Sequence, residues 1–176
     1  MEQNNYGGKN YQIKAESIGH VGDVVYQSPQ VTTEELLHKG IQLLNQRAYR
    51  QAIDVLSDAT KTNPLISDTH YYLAIALLSG EKPRKIDVWT IQSIESELNT
   101  AVCGDAKSSK YYMLWAIVKH GYYVMNGFIE KTPTSAQLFS QGQFIETEHA
   151  REILDHLDDQ KNPYWMHLYK KFGRHN

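Results

Sequence analysis

From residue 32 onward, apolar and polar residues alternate with the period of an α-helix. The apolar positions of the first such stretch are Leu36, Leu37, Ile41, Leu43 and Leu44. Thr32 is followed three residues later by Glu35, a pairing that predicts a capping box at the start of this helix. A second helix follows at once and is predicted to end near Pro64, because the residue before a proline disfavours the α conformation. Two helices joined by a short turn predict an antiparallel hairpin.

Further along the chain, the pattern predicts two more hairpins and a closing helix. The stretches "HYYLAIALL" (70–78) and "KYYMLWAIV" (110–118) resemble two first helices that are 40 residues apart. The charged connection "SGEKPRKIDVW" separates the first of them from a partner helix over 88–102, for which Gly104 is the stop signal. The helix over 106–126 is apolar on most sides, so we expect it to be the most buried element. A single helical turn is predicted over 135–139, a sixth helix within "IETEHAREILDHLDD", and a final docking helix from Pro163.

The first hairpin has small residues at positions where the interior of a helix usually carries large side chains. Gly40 lies in the first helix, and Ala52 and Ala59 lie in the second. Gly40 and Ala52 would let the two helices approach closely, and Ala59 would leave room for the next helix.

This spacing resembles that of the tetratricopeptide repeat family, whose pattern begins Trp-x-x-Leu-Gly-x-x-Tyr and continues with alanines and a terminal proline. The corresponding positions are Leu36, Lys39, Gly40, Leu43, Tyr49, Ala52, Leu56, Ala59 and Pro64. The Gly, both Ala and the Pro match, whereas Leu replaces the family's Trp and Tyr, and Lys replaces its Leu. The resemblance implies an all-α, right-handed superhelix of about three antiparallel hairpins, the later two degenerate. It also implies a concave surface that binds extended or helical peptides.

The resemblance further implies which side chains line that concave surface. The candidate groove residues are Leu37, His38, Ile41, Asn45, Tyr71, Tyr72, Ile75, Lys110, Tyr111 and Leu114. Family members that clamp a terminal carboxylate use Lys, Asn and Arg at inward positions that are Leu37, Ile41, Tyr71 and Ile75 here. An apolar, tyrosine-rich groove suits an amphipathic helix or an apolar peptide instead, with Tyr71, Tyr72 and Tyr111 as anchors. The alternative is that these residues are core, covered by the C-terminal helix or by the N-terminal arm.

Residues 1–30 differ from the helical domain over 31–176 and form a polar arm rich in Asn, Gln and Gly. The pieces "YQIKAES" and "HVGDVVYQ" are β-prone, which favours short strands, strand addition or homotypic stacking. The arm also resembles the short N-terminal segments that precede effector domains in bacterial signalling proteins. An alternative function is therefore self-assembly of a signalling protein through this arm, and a flexible tail is the plainer possibility.

The composition of the chain indicates which partners and which cellular compartment to expect. The net charge of −2 and a pI near 6.4 give no footprint for nucleic acid. Cys103 is the single cysteine, which excludes an internal disulfide framework. No apolar run approaches the roughly 18 residues needed to span a bilayer. We expect a cytoplasmic protein that binds neither nucleic acid nor membrane.

Catalytic motifs are sparse. Glu146-x-x-His149 has the spacing used by carboxylate di-iron bundles, and His156 shares that face, but no second such motif occurs. We therefore expect a solvated face and no metal or cofactor, and a helical metal-dependent enzyme is the less favoured alternative. Cys103 lies at a predicted helix C-terminus, where the helix dipole raises a thiol pKa and so opposes nucleophilic chemistry. The sequence predicts a non-enzymatic adaptor or regulatory subunit that binds another protein.

Overall fold

The structure is a computed structural model that describes residues 31–173. Eight α-helices and two short 3-10 turns make up the regular structure of this range, which contains no β-strand. The helices are α1 (Thr33–Asn45), α2 (Tyr49–Thr62), α3 (Ser67–Leu78), α4 (Val88–Gly104), α5 (Ser109–Tyr122), α6 (Ser135–Gly142), α7 (Thr147–His156) and α8 (Pro163–Phe172). The all-α prediction is confirmed for the described residues.

The first hairpin has the capping box on α1 and the close helix approach that its sequence predicts. The Thr32 hydroxyl accepts a hydrogen bond from the backbone N–H of Glu35, and the Glu35 carboxylate accepts one from the N–H of Thr32. A Cβ added at Gly40 would lie 2.4 Å from Leu56 Cδ2, and Leu56 is fully buried. Glycine at this position is what lets α1 approach α2 so closely.

Helix α5 lies at the centre of the core. Consecutive helices pack in pairs, α1 with α2, α3 with α4 and α5 with α6, and α5 also packs against α4, α8 and the 3-10 turn Pro83–Lys85. Eleven of its fourteen residues are buried, so the prediction that this is the most buried helix is confirmed. Its fully buried apolar residues include Met113, Ala116, Ile117 and Val118.

The ends of three helices differ from prediction. Helix α5 runs over Ser109–Tyr122 rather than 106–126, because a 3-10 turn and Gly127, with a φ of 72°, close it. Helix α6 is two turns long rather than one, because Thr134 and Gln137 form a capping box that the sequence analysis missed. Gly104 is the last residue of α4 rather than the residue beyond it.

The closing helix α8 docks onto α5 through its N-cap. The Asn162 side-chain oxygen accepts hydrogen bonds from the N–H groups of Tyr164 and Trp165, and its Nδ2 donates to the carbonyl of Ile117 at 2.8 Å. The Trp165 indole N–H donates to the carbonyl of Leu157. The predicted docking of this helix is confirmed. Across residues 31–173, no helix is both long and apolar enough to cross a bilayer.

Candidate functional site

A cluster of tyrosines and opposite charges lies where α3, α5 and α7 meet. The hydroxyl of Tyr71 donates to Glu152 Oε2 at 3.1 Å, and that of Tyr72 donates to Glu152 Oε1 at 2.7 Å. One carboxylate on α7 therefore accepts hydrogen bonds from two neighbouring residues of α3.

A lysine from α5 completes this cluster. The Lys110 ammonium lies 2.7 Å from Asp68 Oδ1, and the same oxygen accepts a hydrogen bond of 2.6 Å from the Tyr111 hydroxyl. Lys110 Nζ also lies 4.9 Å, 5.5 Å and 5.4 Å from the ring centroids of Tyr71, Tyr72 and Tyr111, within reach of cation–π attraction. The chain's own ammonium thus occupies an aromatic cage built from α3 and α5.

Burial and hydrogen bonding shift the protonation equilibria of this cluster. Burial first, and the charge of Glu152 second, raise the pKa of Tyr71 well above its ordinary value. Burial and hydrogen bonds to carboxylates raise the pKa of Tyr72 and of Tyr111 in the same direction. Burial acts to raise the pKa of Asp68, but hydrogen bonds from Lys110 and Tyr111 outweigh it, so this pKa lies below its ordinary value. All three tyrosines therefore stay protonated as donors, and Asp68 stays charged.

The cluster closes most of the predicted groove. Six of the ten candidate groove residues are buried: Tyr71, Tyr72, Ile75, Lys110, Tyr111 and Leu114. Leu37 and Ile41 are half-buried, and His38 and Asn45 are exposed. Tyr71 is fully buried and Tyr72 is 9% exposed, so neither side chain is accessible to a partner as an anchor. The physical reason is α7, which buries Ala150 and Ile153 and presents Glu152 to the tyrosine hydroxyls.

An open cleft of about 480 Å³ remains between α1 and α7. Its lining residues are Asn45, Thr147, Glu148, Arg151, Glu152, Asp155 and His156. Asn45 was a candidate groove residue, whereas the acidic wall contributed by α7 was missed by the sequence analysis. Arg47 Nη2 donates to the carbonyl of Asp155 at 3.4 Å and ties the end of α1 to the end of α7.

Burial of His156, at the edge of this cleft, predicts that the stability of the fold depends on pH. Burial lowers the pKa of His156 below its ordinary value, although Glu152 and Asp155 act to raise it and Arg47 acts with burial. The unfolded chain therefore binds more protons than the folded chain as the pH falls through about 6.5, so this contribution to stability is present above that pH and lost below it. We expect His156→Gln to reduce the fall in melting temperature between pH 7.5 and 5.5. An unchanged fall in the variant would contradict this prediction, and thermal denaturation at several pH values measures it.

The expectation of a solvated face on α7 is wrong for His156, which is buried, and holds only for Glu146, which is exposed. His149 is half-buried, and its Nδ1 is 3.9 Å from Oε2 of the exposed Glu146. Nowhere in 31–173 do three or more His, Cys, Asp or Glu side chains gather closely enough to hold a metal ion. Cys103 is exposed near the C-terminal end of α4. The polar arm, with its predicted strands and homotypic association, lies outside the described residues.

No protein-family model matches the chain, and no curated protein matches it significantly.

Proposed function

We propose that this protein is a non-catalytic adaptor that binds a segment of another protein along α1 and in the cleft between α1 and α7. Leu37, Ile41 and Asn45 are four residues apart and therefore lie on one face of α1. The observation that carries the proposal is that this stripe stays at least partly accessible, and leads into an open cleft, while the tyrosine face is closed. Because the packed helices already hold this groove in shape, its residues lose little conformational entropy when a partner binds.

The charge of the cleft indicates the chemistry of the partner. The cleft is lined by three acidic residues, Glu148, Glu152 and Asp155, and by one arginine, Arg151. The Arg151 side chain donates to the carbonyl of Phe172 at 3.5 Å, so part of its donor capacity is used within the protein. Half-buried apolar residues on α1 beside an acidic wall on α7 suit an amphipathic helix whose polar face carries Lys or Arg.

The same proposal includes a superhelical arrangement like that of tetratricopeptide repeats. It is supported by the pairing of consecutive helices and by the close approach at Gly40. The fully buried Ala52 and Ala59 occupy the positions at which that family has small residues.

Charge reversal at the cleft tests the proposal. Glu148 is exposed, so Glu148→Lys leaves the core intact while it places a positive charge beside a basic partner segment. We expect the partner recovered from native extract by the full-length protein to bind this variant roughly tenfold more weakly in an isothermal titration.

Asp54→Lys is the matched control, because Asp54 is exposed on α2 and this variant carries the same change in net charge. Equal affinity of the partner for the two variants would show that the cleft is not the binding site. Binding would instead be assigned to the arm if protein lacking residues 1–30 no longer bound the partner while both lysine variants bound it with wild-type affinity.

A further inference from the structure

A second cleft, separate from the one between α1 and α7, opens where α4, α5 and α6 meet. Its volume is about 620 Å³, within the range of roughly 300 to 1,000 Å³ typical of ligand sites. The lining residues are Asn99, Val102, Tyr112, Trp115, Thr132, Pro133, Gln137, Leu138, Ser140 and Gln141. None of the ten carries a charge, although charged residues make up 22% of the chain. A charged ligand would therefore find no charged partner among the residues that line this cleft, which we call the neutral cleft.

The floor of the neutral cleft is tightly packed and includes the edge of one aromatic ring. Trp115 is 6% exposed, and its indole N–H donates to Glu95 Oε1 at 3.2 Å. Leu138, from α6, is 3% exposed beside it. A Cβ added at Gly142 would lie 2.6 Å from the backbone nitrogen of Met113, so α6 packs directly against the backbone of α5. The floor is thus formed before any ligand arrives.

Hydrogen-bond donors remain at the rim. The Tyr112 hydroxyl and the side-chain amides of Asn99 and Gln141 make no hydrogen bond within residues 31–173. Gln137 Oε1 accepts from the backbone N–H of Thr134 at 2.8 Å, which leaves its amide N–H groups as donors. A ligand that fits this rim supplies acceptors and an apolar body.

An extended, proline-rich segment has these properties. Proline residues lack the backbone N–H, keep the carbonyl acceptor and present apolar rings, and such segments bind aromatic-lined grooves at low entropy cost. A charged segment would lose hydration in this cleft without gaining a partner. We propose that the neutral cleft binds an uncharged, proline-rich segment of a partner protein.

Nuclear magnetic resonance on the full-length, 15N-labelled protein tests the proposal. The probe is an acetylated and amidated ten-residue peptide of proline and alanine, and a glycine–serine peptide of equal length is the reference. We expect a saturable shift of the Trp115 indole resonance with the proline peptide only, while the indoles of Trp89 and Trp165 stay in place. The three indole signals are assigned with single Trp→Phe variants.

Two rim variants make the test specific without disturbing the core. Tyr112→Phe removes only the hydroxyl, and Asn99→Asp adds a charge at an exposed position, so each should weaken peptide binding by roughly three- to tenfold. Gln92→Glu, exposed on the same helix but outside the lining, adds the same charge and should leave binding unchanged.

Three results would overturn the proposal. The first is the absence of a saturable shift, and the second is equal binding of the glycine–serine peptide. The third is the same shift produced by concentrating the protein alone, because a second copy would then be the occupant. The proposal is independent of the α1–α7 cleft, so Glu148→Lys should leave the peptide titration unchanged.

Discussion

The variant Arg84→Ala is expected to lose about 3 to 5 kcal/mol of unfolding free energy, the largest single loss that we predict. Arg84 Nη1 lies 3.0 Å from Asp159 Oδ1, and Asp159 is fully buried. Asp159 Oδ2 has no hydrogen-bond partner within the described residues, so the arginine is the main compensation for this buried charge. Its removal would leave the carboxylate buried and unpaired. Thermal denaturation should show a fall in Tm of roughly 6 to 20 °C.

Two further variants separate this charge effect from a loss of packing. Lys85→Ala changes the exposed neighbour in the same 3-10 turn and should cost less than about 0.5 kcal/mol. Asp159→Asn, added to Arg84→Ala, removes the unpaired charge and should recover a large part of the lost stability. If Arg84→Ala melts at the same temperature as Lys85→Ala, the pair does not stabilise the fold.

The variant Gly142→Ala is expected to lose about 1 to 3 kcal/mol, because a new Cβ would overlap backbone rather than a movable side chain. The added atom would lie 2.6 Å from the nitrogen and 2.8 Å from the Cα of Met113. Met113 is fully buried in α5, so relief requires α6 to move away from α5. That movement would also deform the neutral cleft, which α5 and α6 share. Denaturant unfolding of wild type and variant measures the difference.

Gly104 provides the matched control, since it ends α4 as Gly142 ends α6. A Cβ added at Gly104 would approach Ser67 Oγ at 2.3 Å, but this hydroxyl can rotate away. We expect Gly104→Ala to cost less than about 0.5 kcal/mol. Equal losses in the two glycine variants would show that the approach of α6 to the α5 backbone is not tight.

Helices could be predicted from the sequence wherever the signal is local. The capping box at Thr32 and Glu35 and the prolines at positions 64 and 163 each act within a few residues, and the helix ends follow them. The length of α6 was missed although its capping box, Thr134 with Gln137, is also local. The polar residues on both sides are typical of a connection, so the sequence predicts only a single helical turn there.

The closure of the groove could not be predicted in this way. It depends on Glu152, which is 80 residues from Tyr72 along the chain, and no spacing rule links a glutamate on α7 to tyrosines on α3. The sequence predicts Tyr71, Tyr72 and Tyr111 as anchors of one groove; in the structure the rings of Tyr71 and Tyr111 lie 5.4 Å apart, between centroids, within the buried cluster. Their burial moves the proposed binding surface to Leu37, Ile41 and the α1–α7 cleft.

The most direct measurement replaces Ile41 with photoreactive p-benzoylphenylalanine in the full-length protein and maps its cross-links in native extract by mass spectrometry. Gln51, exposed on α2, is the control position. We expect adducts from position 41 on one amphipathic, Lys- or Arg-bearing segment of a single partner, and no such adduct from position 51. Equal adducts at the two positions, or adducts only with other copies of this chain, would contradict partner binding along α1.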